Sequence, residues 1–297
     1  MIIQIYEIQT PEEAEKCIEL GVDRIGSVIL SAEEWRKPVI REVIRLSEGT
    51  RTKNSLIPLF QGETLLRTLD YYQPHFVHLC DNLTDRQGSN MILDQHLETQ
   101  ETLKKEFPEI GIMRSIPIPM DGKEPDFPFM KIARALEPVS DCFLIDTWVG
   151  EEPVEGFVGI TGKTCDWKRA EELVKKTNIP VILAGGLSPE NVRDALIQVQ
   201  PEGADSCTGT NATGPEGHPI RFKKDFQKVR QFIQEVRHAE TAIRENLEKR
   251  LSRLRQELEE REAALPAHSI RPHQLLAIEE LEEEISRLES ILESDLN

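Results

Sequence analysis

Long apolar runs are missing from this 297-residue chain, and so is a basic N-terminal segment followed by an apolar stretch. A membrane-spanning helix needs about 20 apolar residues and a secretory signal needs the second pattern, so we expect neither a membrane-spanning nor a secreted protein. Basic residues are also few, 36 against 53 acidic ones, which gives a formal net charge of −17. That charge argues against nucleic acid or an anionic membrane as a partner.

Cysteine pairs with the spacing of a zinc site are absent as well. The five cysteines are scattered along the chain and odd in number: Cys17, Cys80, Cys142, Cys165 and Cys207. Disulfide frameworks and zinc sites both need closely matched cysteines. The pattern therefore predicts free thiols, no metal site and a cytoplasmic protein.

Short apolar segments alternate with helix-like segments along residues 1–237. Eight of the apolar segments are typical of buried strands, the first over 2–8 and the last over 204–207. This alternation predicts a parallel sheet with helices outside it, and eight repeats predict closure into a (β/α)8 TIM barrel. An open doubly wound sheet is the competing architecture.

The stretch 179–192, IPVILAGGLSPENV, predicts a strand, a tight turn and a helix. Gly185 and Gly186 allow the turn, and Ser188 is suited to cap the helix. Such a helix start exposes backbone N–H groups that favour phosphate. A second loop of this kind, 207–211, follows the next apolar segment, and TIM barrels commonly bind phosphate after their last two strands. An ordinary strand–turn–helix connection is the alternative.

Side chains with acid–base or anion-binding chemistry lie near the ends of predicted strands, where TIM barrels place their active sites. Asp146 ends the sixth apolar segment and is a candidate general acid or base, since desolvation raises the pKa of a carboxyl. His78 and Cys80 share one face of strand four. Arg36 and Arg114 can hold a carboxylate or phosphate; inside a strand, Arg114 should point into the barrel mouth or pair with a carboxylate. A cap or a packed core side chain is the structural alternative for the acid and for the strand-four pair.

The segment 150–164 is long and polar and contains four glycines. Its length and glycine content predict a mobile cover over the site. A surface insertion without function is the alternative.

Residues 238–297 contain no Phe, Tyr, Trp, Gly or Cys. Their apolar residues recur at steps of three and four on both sides of a proline-bounded break at 266–272: Ile243, Leu247, Leu251, Leu254 and Leu258, then Ile278, Leu281, Ile285, Leu288 and Leu292. This heptad-like rhythm predicts a second domain, a coiled-coil-like helical hairpin. Because each apolar stripe is narrow, the helices must pack on each other, on the barrel or on another copy. We expect a homo-oligomer formed through them, with a self-packed pair as the alternative.

Four motifs resemble the phosphoribosylanthranilate isomerase family of tryptophan biosynthesis. They are LIDT at 144–147, TGKTCDW at 161–167, LAGGLSPENV at 183–192 and DSCTG at 205–209. The resemblance covers roughly residues 1–237 and leaves out the helical tail. It implies a TIM barrel that carries out an Amadori rearrangement of a phosphoribosylated arylamine without a cofactor.

The resemblance also implies roles for individual residues. Asp146 matches the general acid that helps to open the ribose ring, and Arg36 falls near the arginine that meets the anthranilate carboxylate. The phosphate-holding loops are matched by Gly185, Gly186, Thr208 and Gly209.

The chain departs from the family pattern at strand one. Tyr6 replaces the cysteine that serves the family as general base, and a phenol with a pKa near ~10 is a poor base at neutral pH. Strand four reads His78-Leu79-Cys80-Asp81 where the family has Gln-Leu-His-Gly, so Cys80 is a substitute base and Glu7 a second candidate. Three functions stay open: an isomerase of a phosphoribosyl amine, a phosphosugar-binding barrel with altered chemistry, and a non-catalytic scaffold.

Overall fold

The computed structural model describes residues 1–84, 92–265 and 272–294. The chain divides into two compact units, Met1–Arg237 and His238–Asn297.

The first unit is a closed barrel whose eight strands follow one another in chain order and pair in parallel throughout. The strands are β1 Ile2–Ile5, β2 Arg24–Ile29, β3 Lys53–Pro58, β4 Phe76–Leu79, β5 Gly111–Pro119, β6 Cys142–Trp148, β7 Val181–Leu183 and β8 Gly203–Ser206. Because β8 pairs with β1, the sheet has no edge and the predicted TIM barrel is confirmed over the open sheet.

Seven helices lie wholly within the first unit in the described residues, and the start of a longer helix, α8 Phe226–Ala263, adds an eighth. The seven are α1 Pro11–Glu19, α2 Pro38–Leu46, α3 Glu63–Tyr72, α4 Asp94–Glu106, α5 Phe129–Leu136, α6 Trp167–Lys176 and α7 Val192–Val199. Local chemistry sets several of their starts. Thr10 caps α1 by accepting a hydrogen bond from the Glu13 N–H at 3.3 Å, and Asp166 caps α6 by accepting one from the Lys168 N–H at 2.9 Å. Each cap satisfies an N–H group that has no partner inside its helix.

The interior of the barrel is filled by side chains. Tyr6, Met113, Leu144 and Ile182 form a buried cluster inside it, and their strands alternate these residues with others that face the helices. The space left for a ligand is therefore confined to the end of the barrel where the strands finish.

The helix after β7 begins later than the sequence predicts. Ser188 opens a turn, and α7 starts only at Val192. The reason is the side chain of Asn191, whose Oδ1 accepts from the Ser188 N–H at 2.9 Å while its Nδ2 donates to the Gly186 carbonyl at 3.0 Å. This clasp holds the chain in a capped turn before the helix.

A two-stranded antiparallel hairpin that the sequence did not predict follows a 3₁₀ turn at Thr208–Thr210. Its strands are β9 Asn211–Thr213 and β10 Pro219–Lys224. The helix after it is α8 Phe226–Ala263, whose residues cover both the predicted closing helix of the barrel and the predicted first helix of the tail.

The second unit contains the later part of α8 together with α9 Pro272–Ser294. Leu251, Ile285, Leu288 and Leu292 form its core, with Leu247, Leu254 and Leu258 packed against them. Arg250 pairs with Glu284, and Arg255 with Glu289 at 2.6 Å. The two helices therefore pack on each other. The predicted break between them, 266–271, lies outside the described residues, and self-association stays a prediction.

None of the helices within the described ranges combines the length and the apolar character needed to cross a membrane.

Candidate active site

A small cavity of about 50 Å³ lies where the barrel strands end. Four of the predicted site residues line it together: Glu7, His78, Cys80 and Asp146. Barrel closure brings them together, because they follow or belong to β1, β4 and β6. Asp205 and Cys207 complete its polar lining.

Asp146 lies near the end of β6 with its carboxylate under a covering loop. The Thr147 N–H donates to its Oδ1 at 2.8 Å, and the backbone of Gly159 is so close that a Cβ there would be 2.1 Å from its Oδ2. Burial raises the pKa of Asp146 to about 7, helped by the nearby Glu152 and opposed by the Thr147 hydrogen bond. At neutral pH this carboxyl is therefore protonated in a large share of molecules and can donate a proton.

Asp205 is a second buried carboxyl in the cavity, and the sequence did not single it out as an acid–base group. It belongs to β8, is 5% exposed, and accepts a hydrogen bond from Gln4 Nε2 at 3.1 Å. Burial raises its pKa to about 8, with Asp146 adding to the rise while Gln4 and Lys224 oppose it. The available signal was an acidic residue placed within an apolar strand segment.

Cys80, the first candidate base, is a buried thiol. Burial raises its pKa, and the negative charges of Asp81 and Asp146 raise it further, against the opposing charge of Arg114. The group is therefore a neutral thiol at physiological pH, which is a weak proton acceptor.

Glu7, the second candidate, has its carboxylate engaged by three donors. Asn211 Nδ2 and Arg221 Nε each donate at 2.8 Å, and the Phe222 N–H donates at 3.2 Å. Burial raises the pKa of Glu7, but these donors outweigh it and the net pKa is lowered. Glu7 is thus an ionised, tightly held group.

Tyr6 and His78 belong to a hydrogen-bonded chain inside the barrel. The Tyr6 hydroxyl lies 2.7 Å from Ser55 Oγ and 2.8 Å from His78 Nδ1, while His78 Nε2 lies 2.7 Å from Ser115 Oγ. Burial and the nearby Arg114 lower the pKa of His78 to about 3, and burial raises the pKa of Tyr6 well above its usual value. Both side chains are neutral.

Neither predicted arginine is among the described residues that line the cavity. Arg114 is fully buried and donates to Asp81 through Nη1 to Oδ2 at 3.0 Å and Nη2 to the carbonyl at 2.6 Å. Pairing with a carboxylate was one of the two placements expected for it. Arg36 lies on the exposed surface with its guanidinium 4.7 Å from the centre of the Tyr71 ring.

The two predicted phosphate loops pack tightly against neighbouring backbone. Gly185 and Gly186 have φ of 81° and 60°, and a Cβ at Gly186 would lie 2.6 Å from the Lys163 carbonyl carbon. A Cβ at Gly209 would lie 2.2 Å from the Leu187 carbonyl oxygen. In the described part of the chain, no protein acceptor takes a hydrogen bond from the N–H groups of Gly185, Gly186, Thr208 and Gly209. These amides are available to an anion.

Two segments cover the cavity, the lid loop (residues 150–164) and β10. In the lid loop the Val158 N–H donates to the Cys80 carbonyl at 2.8 Å, and the Gly156 carbonyl accepts from the Asn82 N–H at 2.8 Å. Phe157 of this loop and Phe222 of β10 pack against an apolar cluster around Cys80. The predicted cover therefore lies over the site, and the hairpin adds a second element to it.

Within the described residues no group of three or more His, Cys, Asp or Glu side chains is placed to hold a metal ion.

Residues 97–235 match the family model of N-(5′-phosphoribosyl)anthranilate isomerase. The enzyme of that name from Methanosarcina acetivorans is 33% identical over 242 residues, 79% of this chain and 92% of the relative. The one from Methanocella arvoryzae is 33% identical over 249 residues, 79% and 97% of the two chains. A phosphoribosylanthranilate isomerase solved with reduced 1-(o-carboxyphenylamino)-1-deoxyribulose 5-phosphate has the same fold, with a TM-score of 0.55, 20% identity and coverage of 80% of this chain and 100% of that one.

The matches to the two named relatives extend over 92% and 97% of their lengths at 33% identity. The chain belongs to the phosphoribosylanthranilate isomerase family.

Proposed function

We propose that this protein isomerises phosphoribosylanthranilate to the corresponding aminoketose phosphate. The observation that carries the proposal is the position of Asp146, whose carboxyl has a pKa of about 7 and lines a cavity at the barrel end that also bears the two glycine loops. The relatives that span the barrel carry the name of this enzyme. The ligand of the solved relative is a reduced form of such an aminoketose phosphate.

The free amides of Gly186 and Gly209 support a phosphate at the loops after β7 and β8. A phosphate held there extends the sugar from its C5 end towards the barrel axis and Asp146. Protonation of the ring oxygen by Asp146 lets the nitrogen lone pair open the ring to an iminium ion. Loss of the proton from C2 then gives an enolamine, and proton return to C1 completes the ketose.

The lid loop must open for substrate to enter. Pockets that bind small molecules typically enclose about 300–1,000 Å³, whereas this cavity measures about 50 Å³. Gly150, Gly156, Gly159 and Gly162 all adopt positive φ in the loop, a region that glycine enters without steric cost. We assign opening and closing of the site to this loop.

The three other predicted binding residues have different roles in this mechanism. Arg36 meets the substrate carboxylate only after its guanidinium leaves Tyr71. His78 lines the cavity beneath the sugar as a neutral imidazole. Arg114 acts through its ion pair with Asp81, which holds the loop after β4 in place.

A turnover assay on phosphoribosylanthranilate tests the proposal. The wild type should consume the substrate, and Asp146→Asn should lower kcat by about 10²–10⁴-fold, the usual contribution of general acid–base catalysis. Asp121→Asn, at an exposed position outside the cavity, is the matched control and should keep the wild-type rate.

A wild type that binds the substrate without turning it over would favour the phosphosugar-binding alternative instead. A ligand at one hundred times its Kd stabilises the fold by about 2.7 kcal/mol, so binding without turnover is visible as a rise in Tm. If the wild type shows no turnover and the substrate does not raise its Tm, the non-catalytic scaffold is favoured.

We propose self-association through α9. Leu275 and Leu276 are 45% and 57% exposed on this helix, and exposed apolar pairs on a heptad-like helix support association. Changing both to Ser should lower the mass measured by light scattering. His273→Ser, on the same exposed turn, is the control, and an unchanged mass in the double variant would remove the proposal.

We also propose a cytoplasmic location. All five cysteines are free and four of them are buried, which supports folding in a reducing compartment.

A further inference from the structure

Tyr6 occupies the position of the family's general base, and it is a poor proton acceptor there. Tyr6 is 3% exposed, and its hydroxyl is shared between Ser55 and His78 at 2.7 and 2.8 Å. Ionising it would place a phenolate in a buried site that already contains Asp205, and its pKa is raised accordingly. Another side chain must accept the C2 proton if the isomerisation takes place.

The neighbouring strand supplies a carboxylate close to that position. β8 pairs with β1 in a register that sets Asp205 beside Gln4 and Ser206 beside Ile5. Asp205 therefore lies one pleat below the level of Tyr6 and points to the same interior, where it lines the cavity with Asp146. Its one hydrogen bond within the described residues comes from the neutral Gln4 amide. The Asp205 carboxylate is therefore not neutralised by a cationic hydrogen-bond donor.

We propose that Asp205 accepts the proton from C2 of the substrate and replaces the strand-one cysteine of the family. The inference rests on the proposed isomerase function and assigns one step of it.

The electrostatics of the cavity couple Asp205 to Asp146. The titratable and charged groups around Asp205 are Asp146, Lys224, Tyr6 and Cys207. Asp146 and Asp205, with pKa values raised to about 7 and about 8, hold one proton between them in that pH range, because ionising the second carboxyl next to the first costs extra energy. A pair that holds a single proton offers a donor and an acceptor at once. The form that reacts is the one with the proton on Asp146 and the charge on Asp205, although burial raises the pKa of Asp205 further than that of Asp146.

The other two candidates compare poorly with Asp205. The Cys80 thiol is buried under the lid loop, and its pKa is raised by burial. The Glu7 carboxylate is neutralised by three donors, one of them the Arg221 guanidinium. The pKa of the Cys80 thiol stays well above that of Asp205, and Glu7 would have to give up its three hydrogen bonds, so a carboxylate with one neutral donor is the better base.

The step conserves protons and electrons. Ring opening by Asp146 leaves an iminium ion at C1. Asp205 then takes the proton from C2, the C–H electron pair becomes the C1–C2 double bond, and the C1–N double-bond pair moves to nitrogen. Asp205 becomes a carboxylic acid. Asp205 then returns its proton to C1, and the enol hydroxyl gives its hydrogen to the Asp146 carboxylate. Both carboxyls regain their starting state, so the net reaction is an isomerisation.

The test compares Asp205→Asn with Cys80→Ser in turnover of phosphoribosylanthranilate, using substrate with hydrogen or deuterium at C2. Asn keeps the oxygen that Gln4 binds, so folding should survive, and Tm reports this directly. Asp205→Asn should lower kcat by about 10²–10⁴-fold with little change in KM. It should also raise the isotope effect, because abstraction from C2 becomes rate-limiting. Cys80→Ser should lose far less rate than Asp205→Asn, and Asp121→Asn, outside the cavity, should keep the wild-type rate and isotope effect.

The outcomes separate this inference from the proposed function. A wild type without turnover contradicts the isomerase itself. A wild type with turnover, together with an active Asp205→Asn or an inactive but folded Cys80→Ser, overturns the role of Asp205. If Asp205→Asn does not fold, an inactive but folded Cys80→Ser still overturns the role of Asp205. A loss of rate in Asp205→Asn without a larger isotope effect identifies a positioning role and also contradicts the proposal.

Discussion

The ring of Tyr6 occupies the space that Gly26 leaves open on the neighbouring strand. A Cβ atom at residue 26 would lie 2.0 Å from Cε1 of the Tyr6 ring, far inside van der Waals contact. The large side chain directly after β1 is therefore tolerated because β2 has no side chain opposite it. This pairing connects the departure from the family pattern at position 6 to the packing of the barrel.

The packing predicts that changes at these two positions are coupled. Tyr6→Cys removes the ring and should lower the free energy of unfolding by about 3–5 kcal/mol, as other large-to-small core changes do. Gly26→Ala in the wild type overpacks the barrel and should cost about 1–3 kcal/mol. In the double variant the added methyl meets the emptied space. Urea denaturation should therefore show a combined loss smaller than the sum; an additive result would mean that the two residues do not share this space.

Anion binding should require glycine at position 186 because the Lys163 backbone leaves no space for a Cβ atom, and not only because of the positive φ. Alanine there meets the Lys163 backbone at 2.6 Å in addition to a φ of 60°. Gly186→Ala should displace the segment after the lid and weaken binding of inorganic phosphate, measured by calorimetry. Gly217→Ala is the matched control: its φ is 83° but nothing lies within 4 Å of the added Cβ. It should cost about 1–2 kcal/mol of stability and leave phosphate binding unchanged, whereas equal effects of both variants would refute the steric argument.

The raised pKa values of Asp146 and Asp205 make stability depend on pH in a definite direction. Their folded-state pKa values, about 7 and about 8, exceed the unfolded value of about 3.9, so the folded state holds more protons between these limits. Their contribution to stability is full below about pH 4 and is lost as pH rises to about 8. Asp205→Asn should therefore raise Tm relative to the wild type increasingly from pH 5 to pH 8. A constant Tm difference over that range would contradict the raised pKa.

The ion pair between Glu7 and Arg221 should stabilise the hairpin over the cavity. Glu7 is almost completely buried, so removing its cation leaves a buried charge with fewer donors. Arg221→Ala should cost about 1–3 kcal/mol and speed hydrogen exchange in β10. The exposed pair of Lys176 with Glu172 is the control, because Lys176→Ala should cost only about 0.3–0.5 kcal/mol. Similar losses in both variants would show that the Glu7 pair contributes no more than a surface contact.

Several features of the fold followed from local patterns. The alternation of apolar and helical segments predicted the eight strands, and the heptad-like leucines predicted the helices whose side chains meet around Leu251 and Leu288. The hairpin was missed because its strands are short and mostly polar, so they lack the apolar alternation that marks a strand. The 3₁₀ turn before the hairpin is fixed instead by contacts between residues distant in the chain. For example, the Lys224 ammonium donates a hydrogen bond to the Cys207 carbonyl at 2.8 Å.

The candidate site was predictable in part. Asp146 and the glycine loops follow from strand ends and motifs, because a motif carries its own backbone geometry. Glu7 and Arg114 could be nominated but not interpreted, since their partners, Arg221 and Asp81, are identified only once the chain is folded.

By itself the sequence determined the barrel class, the membership of a family and the apolar stripes of the tail, because these depend on periodicity and on short contiguous motifs. The tertiary structure alone decided that Asp146 and Asp205 share one cavity and that Glu7 is held by three donors. The physical reason is that a pKa depends on burial and on charges from strands far apart in sequence, which are brought together only when β8 closes against β1.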